Sequence, residues 1–256
     1  MNKQTYYHFL SSKYAIDDLE RKRIKVSLIN ELNDPFELLP YLRYKELKKR
    51  KIYHNIRREV SKKYGLLCFS KYWYEPLLWG HYADKHKGVA IGFRILEGDI
   101  LKVEYNSKPK RIKFELTNNK EENKKLFLSL AKTKYEKWSY ESEYRVLIEL
   151  DNCDKDKKGC YFIKFADRLK VDEIILGCKF NKKERGRIID LAKKLNVNEN
   201  KIKHARQSWE EYKINKCGTK TNELKIMYSK TRAKTAFRPA PNISQANKIH
   251  QNILPA

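Results

Sequence analysis

The sequence predicts an α+β fold with a mixed, mostly antiparallel sheet and interspersed helices. Two observations indicate this class. Short apolar or alternating segments typical of strands recur along the whole chain, and helical segments lie between them without a regular βαβ rhythm. The chain has 256 residues, of which 41% are hydrophobic, so it is long enough to bury a large core.

The first half of the chain carries clear helix boundary signals. Pro40 suits the first turn of a long charged helix, and Gly65 suits its end. Pro76 and Gly88 delimit another helix in the same way. The predicted elements are, in order, a strand at 5–10, a helix at 13–22, a strand at 24–28, a helix at 40–64, a strand at 66–70, a helix at 76–87 and a strand at 89–93.

The second half is predicted to alternate in the same irregular way. Its elements are strands at 100–105, 111–116, 142–150, 160–165 and 171–177, helices at 120–137 and 182–196, and one or two edge strands within 201–214. Beyond these, the sequence mixes Pro, Asn, Ser and Lys with little periodicity. We therefore predict one α+β domain over residues 1–216 and a basic, polar, flexible tail over residues 217–256.

The chain is strongly basic. It holds 57 Lys and Arg against 32 Asp and Glu, a formal charge of +25. Such a charge attracts polyanions, including nucleic acid. Lysine is spread along the whole chain, however, and Lys, Asn, Ile and Tyr are all abundant, which an AT-rich genome also produces. The charge is thus compatible with a nucleic-acid partner and with composition alone.

The cysteines and the terminus narrow the possible classes of protein. The five cysteines form no CxxC pair and no close group with histidine, so neither a disulfide scaffold nor a metal site is expected. The N-terminus does not resemble a signal peptide, and no segment is apolar enough for a membrane span. We expect a cytoplasmic protein without a membrane partner.

A charged face on the strand at 142–150 is the first candidate site. Tyr144 and its alternate neighbours form an apolar face, whereas Glu141, Glu143 and Arg145 fall on the other. Two carboxylates at this spacing interact, and a cation beside them favours their charged form. This pattern is typical of an acid/base or ribose-binding site, but also of a solvated, salt-bridged face, and both interpretations stay open here.

The helix after Pro76 and the strand before it supply further candidates. Trp79, His81 and Tyr82 lie on the helix, where they either pack against the core or line a pocket. Ser70 ends an apolar strand at a sheet edge, where hydroxyl groups often contact ligands. The histidines His81 and His86 do not converge on one face, which disfavours a metal site.

Six stretches in this order resemble the bacterial family known as domain of unknown function 2971. They are LNDPFEL (32–38), LLCFSK (66–71), PLLWGHYADKHKGVAIGF (76–93), LKVEY (101–105), KWSYESEYRVL (137–147) and DEIILGCKF (172–180). The resemblance implies a small cytoplasmic protein of a kind found near mobile elements or phage-defence genes.

The order of these pieces also resembles, more distantly, the ADP-ribosyltransferase superfamily. That resemblance implies NAD as substrate, a His on the first strand, a Ser or Tyr in the middle of the fold and a late Glu-x-Glu. The counterparts in this sequence are His8, Ser70 or Tyr82, and Glu141 with Glu143. With the neighbouring candidates added, we predict catalytic roles for Glu143, Glu141 and His81, and cofactor-binding roles for His8, Ser70, Trp79, Tyr82 and Arg145.

Three classes of function are therefore carried forward. The first is an NAD-dependent ADP-ribosyltransferase-like effector, acting as a toxin or in phage defence. The second is a nucleic-acid-binding or RNA-cleaving effector that uses His81, His86 and Glu143 as acid/base groups. The third is a non-catalytic protein-binding module in which the same motifs are only core and turns. The sequence does not indicate an oligomeric state.

Overall fold

The computed structural model describes residues 3–43, 45–111, 119–166 and 169–217. The predicted tail at 217–256 lies outside these residues except for Cys217, and the predicted strand at 111–116 lies outside except for Arg111. The division into a domain and a tail stays a prediction. No helix among the described ranges is long and apolar enough to cross a membrane.

The described residues form an α+β fold, as predicted, with thirteen strands and five α-helices. The strands are β1 (Lys3–Leu10), β2 (Arg23–Leu28), β3 (Tyr64–Ser70), β4 (Val89–Leu96), β5 (Leu101–Lys102), β6 (Glu104–Asn106), β7 (Thr133–Tyr135), β8 (Glu143–Glu149), β9 (Asp154–Lys155), β10 (Tyr161–Lys164), β11 (Lys170–Leu176), β12 (Ile202–Gln207) and β13 (Ile214–Cys217). The helices are α1 (Ser12–Arg21), α2 (Leu47–Ser61), α3 (Pro76–Tyr82), α4 (Lys120–Ala131) and α5 (Arg185–Lys194).

Eleven strands form the main sheet, which is antiparallel except where β11 pairs with β12. Its order is β13-β12-β11-β4-β1-β3-β2-β10-β9, and β3 also pairs with β8, which in turn pairs with β5. The short strands β6 and β7 form a separate parallel pair.

Three hydrophobic clusters hold the helices onto this sheet. On one side α1 and α5 bury Ile16, Leu19 and Ile188 in the largest cluster. A second cluster places Trp79 of α3 against Phe9 of β1. The third joins α2 and α4, whose apolar side chains pack beside β3 and β8. The helices therefore occupy different sides of the sheet, as expected for interspersed elements.

Two predicted helices are too long. The helix predicted at 40–64 begins only at Leu47, because the preceding residues pair elsewhere: Tyr41 bridges Arg111 and donates its backbone N–H to the carbonyl of Lys110. Gly65 lies inside β3 rather than after a helix. The helix predicted at 120–137 ends at Ala131, where the chain turns into β7 to pair with β6.

The prediction that α3 runs to Gly88 is also wrong. The helix ends at Tyr82, and Asp84, Lys85 and His86 all have positive φ. Gly88 serves a different purpose, since a Cβ at this position would lie 2.0 Å from the carbonyl oxygen of Leu10. The glycine permits a close approach of two backbone segments at the start of β4.

We predict that Gly88→Ala lowers the free energy of unfolding by about 1–3 kcal/mol, because the backbone of β1 must move to accept the methyl group. Chemical denaturation measures the effect. Gly80→Ala is the matched control, because a Cβ at Gly80 meets no atom within 4 Å. Because alanine has a higher helix propensity than glycine, the free energy of unfolding of this control should rise by about 0.5–1 kcal/mol. Equal effects of the two changes would contradict the close approach.

Candidate functional site

The candidate site lies where the main sheet splits. One edge of β3 pairs with β1 at Ser70 and with β2 at Leu66 and Gly65. Between these points the described strands leave that edge of β3 without a ladder partner. The side chain of His8 fills part of this gap, with its Nδ1 2.8 Å from the carbonyl oxygen of Cys68. A sheet that opens in this way creates a concave space among its own strands.

A cavity of about 210 Å³ occupies this split, and we call it the inner chamber. Its walls combine apolar side chains with converging polar groups, which is the usual composition of a ligand site. The lining residues that carry polar chemistry are Tyr7, His8, Ser27, Glu31, Asn33, Glu37, Cys68, Ser70, Tyr82, Lys134, Glu141 and Glu143.

Lys134 of β7 lies at the centre of the carboxylates of the chamber. Its Nζ is 2.5 Å from Glu141 Oε2, 3.0 Å from Glu143 Oε2 and 3.2 Å from Glu37 Oε1. The side chain is only 4% exposed. Burial would lower the pKa of Lys134, but the three carboxylates together raise it well above its ordinary value. A fixed ammonium ion therefore joins three carboxylates at this place.

Arg145 of β8 adds a second buried cation behind Glu143. Its Nε and one terminal nitrogen donate to the two oxygens of Glu143, both at 2.8 Å. The same terminal nitrogen donates to Glu37 Oε1 at 2.7 Å, and the other donates to the carbonyl of Ala131 at 3.1 Å. We refer to Glu37, Lys134, Glu141, Glu143 and Arg145 as the ion cluster.

The burial of the ion cluster rules out one of the two interpretations of the charged strand. Arg145 is fully buried, and Glu143 and Glu141 are 5% and 4% exposed. A solvated, salt-bridged face is therefore excluded. The strand itself begins at Glu143, since Glu141 ends a 3₁₀ helix and Ser142 between them has a left-handed backbone with φ of 43°. Lys134, rather than strand alternation alone, brings the two carboxylates together.

The two neighbouring carboxylates have different electrostatic environments. Burial would raise the pKa of Glu143, but Arg145 and Lys134 outweigh it and lower the pKa to about 2. For Glu141, burial and the neighbouring Glu143 outweigh Lys134, so its pKa is raised. Glu143 is thus a permanent anion, whereas Glu141 is the carboxylate more ready to take up a proton.

Tyr82 connects Glu141 with the loop before α2. Its hydroxyl donates to Glu141 Oε1 at 2.6 Å and accepts from Asn33 Nδ2 at 2.8 Å. Burial, followed by the charge of Glu141, raises the pKa of Tyr82, so this hydroxyl stays protonated. A second tyrosine, Tyr105 of β6, accepts the backbone N–H of Glu143 at 2.7 Å. Both carboxylates are therefore held in fixed positions.

The structure brings together five of the eight residues proposed from the sequence. His8, Ser70, Tyr82, Glu141 and Glu143 all line the inner chamber, although they come from five different elements of the chain. The sixth, Arg145, does not line the chamber itself but donates to Glu143 and Glu37, which do. The remaining two, Trp79 and His81, do not line it.

Trp79 and His81 have other surroundings. Trp79 is fully buried in the core under α3, and its Nε1 donates to the carbonyl of Trp73 at 2.6 Å. His81 is exposed, and its ring stacks beside Tyr140. Trp79 therefore packs against the core, which is one of the two alternatives, whereas the exposed His81 fits neither of them.

Two members of the ion cluster, Glu37 and Lys134, are not among the site residues that the sequence predicts. Glu37 lies between the predicted strand at 24–28 and the predicted helix at 40–64, and its Oε2 is buried without a hydrogen-bond partner among the described residues. Lys134 lay in a segment predicted as helix. The β-branched and aromatic residues that flank it, Thr133 and Tyr135, were the one local signal for a strand. Within the described ranges, no group of three or more His, Cys, Asp and Glu is arranged to hold a metal ion.

These features define an α+β protein with a buried, mixed-charge chamber in a split sheet. Residues 78–146, which include most of α3, all of β4 and β7, and four of the five members of the ion cluster, match the family described as protein of unknown function DUF2971. The match supports the resemblance to this family that the sequence motifs indicated. No curated protein and no solved structure matches the chain.

We predict that the ionisation of Glu143 contributes stability in a defined acidic range. Its pKa falls from an ordinary 4.5 to about 2 on folding. The contribution to stability is therefore complete at a pH above the pKa that Glu143 has in the unfolded state. It is lost as the pH falls through the pKa of Glu143 in the folded state. Relative to Glu143→Gln, wild-type protein should lose up to about 3 kcal/mol of unfolding free energy between pH 5 and pH 2.

Urea unfolding at a series of pH values measures this difference. Glu210→Gln provides the control, because Glu210 is exposed and makes no ion pair in the described part of the chain. Its gap to wild type should stay within about 0.5 kcal/mol across the range. A pH-independent gap for Glu143→Gln would show that Glu143 is not held as a buried anion.

Proposed function

We propose that the inner chamber binds the ribose of NAD and that the protein is an ADP-ribosyltransferase-like enzyme. One observation carries the proposal: His8, Ser70, Tyr82, Glu141 and Glu143 converge on one chamber. Paired carboxylates suit the cleavage of a nicotinamide–ribose bond, and the phenol, hydroxyl and imidazole beside them offer hydrogen bonds to the ribose.

The charge of the chamber suits this reaction. At formal charges, three carboxylates and two cations give the ion cluster a net charge of −1. The nicotinamide ring of NAD is positive, and its departure with the bonding electron pair leaves a positive oxocarbenium ion at C1′ of the ribose. A fixed negative charge in a buried site stabilises the positive oxocarbenium ion.

The two carboxylates have separate roles in the proposed reaction. Glu143 accepts three hydrogen bonds, all from the two buried cations, and its lowered pKa keeps it anionic. It therefore acts as a fixed charge. Glu141 accepts only two and has a raised pKa. When an acceptor hydroxyl or a water molecule attacks C1′, Glu141 takes its proton and so completes the balance of charge.

The remaining groups of the chamber offer hydrogen bonds to the ribose hydroxyls. Burial lowers the pKa of His8, so its ring is neutral, and the contact of Nδ1 with the Cys68 carbonyl assigns the proton to that nitrogen. Nε2 is then an acceptor. Glu37 Oε2 is a second acceptor that has no partner within the described ranges, and the Ser70 hydroxyl, whose oxygen accepts from the N–H of Tyr72, is left to donate.

The RNA-cleaving alternative has less support from the geometry. It requires His81 or His86 to work with Glu143, yet neither histidine lines the chamber that contains Glu143. The formal charge of +25 supports a polyanionic partner without locating it. A role as a toxin or phage-defence effector, which the resemblance implies, would accord with an enzyme that modifies a target with NAD or consumes it.

We predict that purified protein releases nicotinamide from labelled NAD. Glu141→Gln should reduce the rate by about 10²-fold or more, since proton transfer to a placed carboxylate contributes about 10²–10⁴-fold. Glu143→Gln should do so as well by removing the fixed charge. The control His81→Ala, on the exposed side of α3, should stay within about twofold of wild type.

Two results would overturn the proposal. One is the absence of both nicotinamide release and an NAD-dependent thermal shift, which would favour the non-catalytic module. The other is activity that survives Glu141→Gln and Glu143→Gln but is lost in His81→Ala, which would place the chemistry outside the chamber. Cleavage of RNA dependent on His81 would support the second class of function instead.

A further inference from the structure

A second cavity adjoins the inner chamber. It has a volume of about 470 Å³ and lies between the segment 29–35 and α2; we call it the outer pocket. Leu32 and Asn33 line both cavities, so the two cavities meet at these residues. A ligand long enough to pass Asn33 would reach from the inner chamber into the outer pocket.

The outer pocket is lined on one side by a basic face of α2. His54, Arg57 and Arg58 are three and four residues apart and therefore share a face of that helix. The Nε of Arg57 is buried and has no hydrogen-bond partner, and no carboxylate of the described residues forms an ion pair with Arg57. A half-buried guanidinium without an anion is an incomplete interaction.

The other groups that face this pocket leave it positive. Asp34 is the one carboxylate among its lining residues. Its Oδ1 accepts from the N–H of Phe36, and its Oδ2 is buried without a partner in the part of the chain that the structure describes. Arg58 is 3.7 Å from Glu59, but both side chains are largely exposed, so this pair is weak. Two arginines against one carboxylate give a formal excess of +1, with His54 neutral.

We propose that the outer pocket binds the diphosphate group of a nucleotide whose ribose occupies the inner chamber. Guanidinium groups bind phosphate oxygens through paired hydrogen bonds, and Arg57 and Arg58 supply two such groups. The free Oδ2 of Asp34 accepts a hydroxyl or amino hydrogen from the part of the ligand beyond the phosphates. The negative chamber and the positive pocket thus match the two ends of a nicotinamide nucleotide: a cationic ring on ribose, and an anionic diphosphate.

This inference rests on the proposed function for the orientation of the ligand, but binding measurements test it separately. We would measure the Kd of ADP-ribose and of nicotinamide riboside, which lacks phosphate, by calorimetry for wild type and Arg57→Gln. Lys51→Gln is the matched control: it removes the same charge from α2, where Lys51 is exposed and lines neither cavity.

The expected result is a selective loss for the phosphate-bearing ligand. Arg57→Gln should raise the Kd of ADP-ribose about tenfold or more, as expected for the loss of a hydrogen bond to a charged group. Nicotinamide riboside should bind wild type and Arg57→Gln equally, and Lys51→Gln should change the Kd of ADP-ribose less than about twofold. Should Arg57→Gln fail to fold, Arg58→Gln, at an exposed position, takes its place with the same expectation.

Several results would overturn the inference. Equal losses of ADP-ribose affinity in Arg57→Gln and Lys51→Gln would show an effect of net charge alone. Failure of the wild-type protein to bind ADP-ribose would show that the pocket does not bind this class of nucleotide. Binding of a single-stranded RNA, lost in Arg57→Gln, without binding of ADP-ribose would assign the pocket to a polynucleotide. Binding of ADP-ribose that depends on Arg57, without release of nicotinamide, would contradict the proposed reaction but would still support the diphosphate site.

Discussion

The arrangement of the chamber depends on the contact of Lys134 with three buried carboxylates. Glu37 comes from the loop before α2, whereas Glu141 and Glu143 are two residues apart, and the mutual repulsion of the three carboxylates would drive them apart in a buried place. Lys134 and Arg145 offset that repulsion and satisfy most of the carboxylate oxygens by hydrogen bonds. A buried ion network of this kind contributes little net stability, but removing one partner leaves uncompensated charge. Its value here is positional: it fixes the loop at Glu37, strand β7 and strand β8 around one space.

The split of the sheet supplies the space that the ion cluster surrounds. Because β1 and β2 diverge along the same edge of β3, backbone groups at this point face a cavity instead of a neighbouring strand. His8 compensates by contacting the carbonyl of Cys68, and Ser70 marks the place where pairing with β1 resumes. A site in such a gap obtains polar side chains from strands that are distant in sequence, while the surrounding sheet keeps them rigid.

Local patterns predicted much of the fold and part of the site. The apolar run of β3 and the apolar start of β4 identified buried strands, and alternation placed Glu143 and Arg145 on one face. The sequence did not predict the position of Lys134, because its lysine-rich segment has the pattern of a helix. The segment forms strand β7 instead through its pairing with β6, which is distant in sequence. The structure of the residues after Pro40 was predicted wrongly for a similar reason, since Tyr41 pairs with the distant Arg111 instead of starting a helix. Sequence spacing also could not show that Trp79 and His81 point away from the space that Tyr82 reaches.

The most direct test of the central claim is a double-mutant cycle between Lys134 and Glu141. Unfolding free energies of wild type, Lys134→Met, Glu141→Gln and the double variant give the coupling between the two side chains. If Lys134 compensates buried carboxylates, each single change is destabilising and the pair couples by about 1–3 kcal/mol, because removing one partner already forfeits the interaction with the other. Additive effects, with a coupling below about 0.5 kcal/mol, would contradict the account.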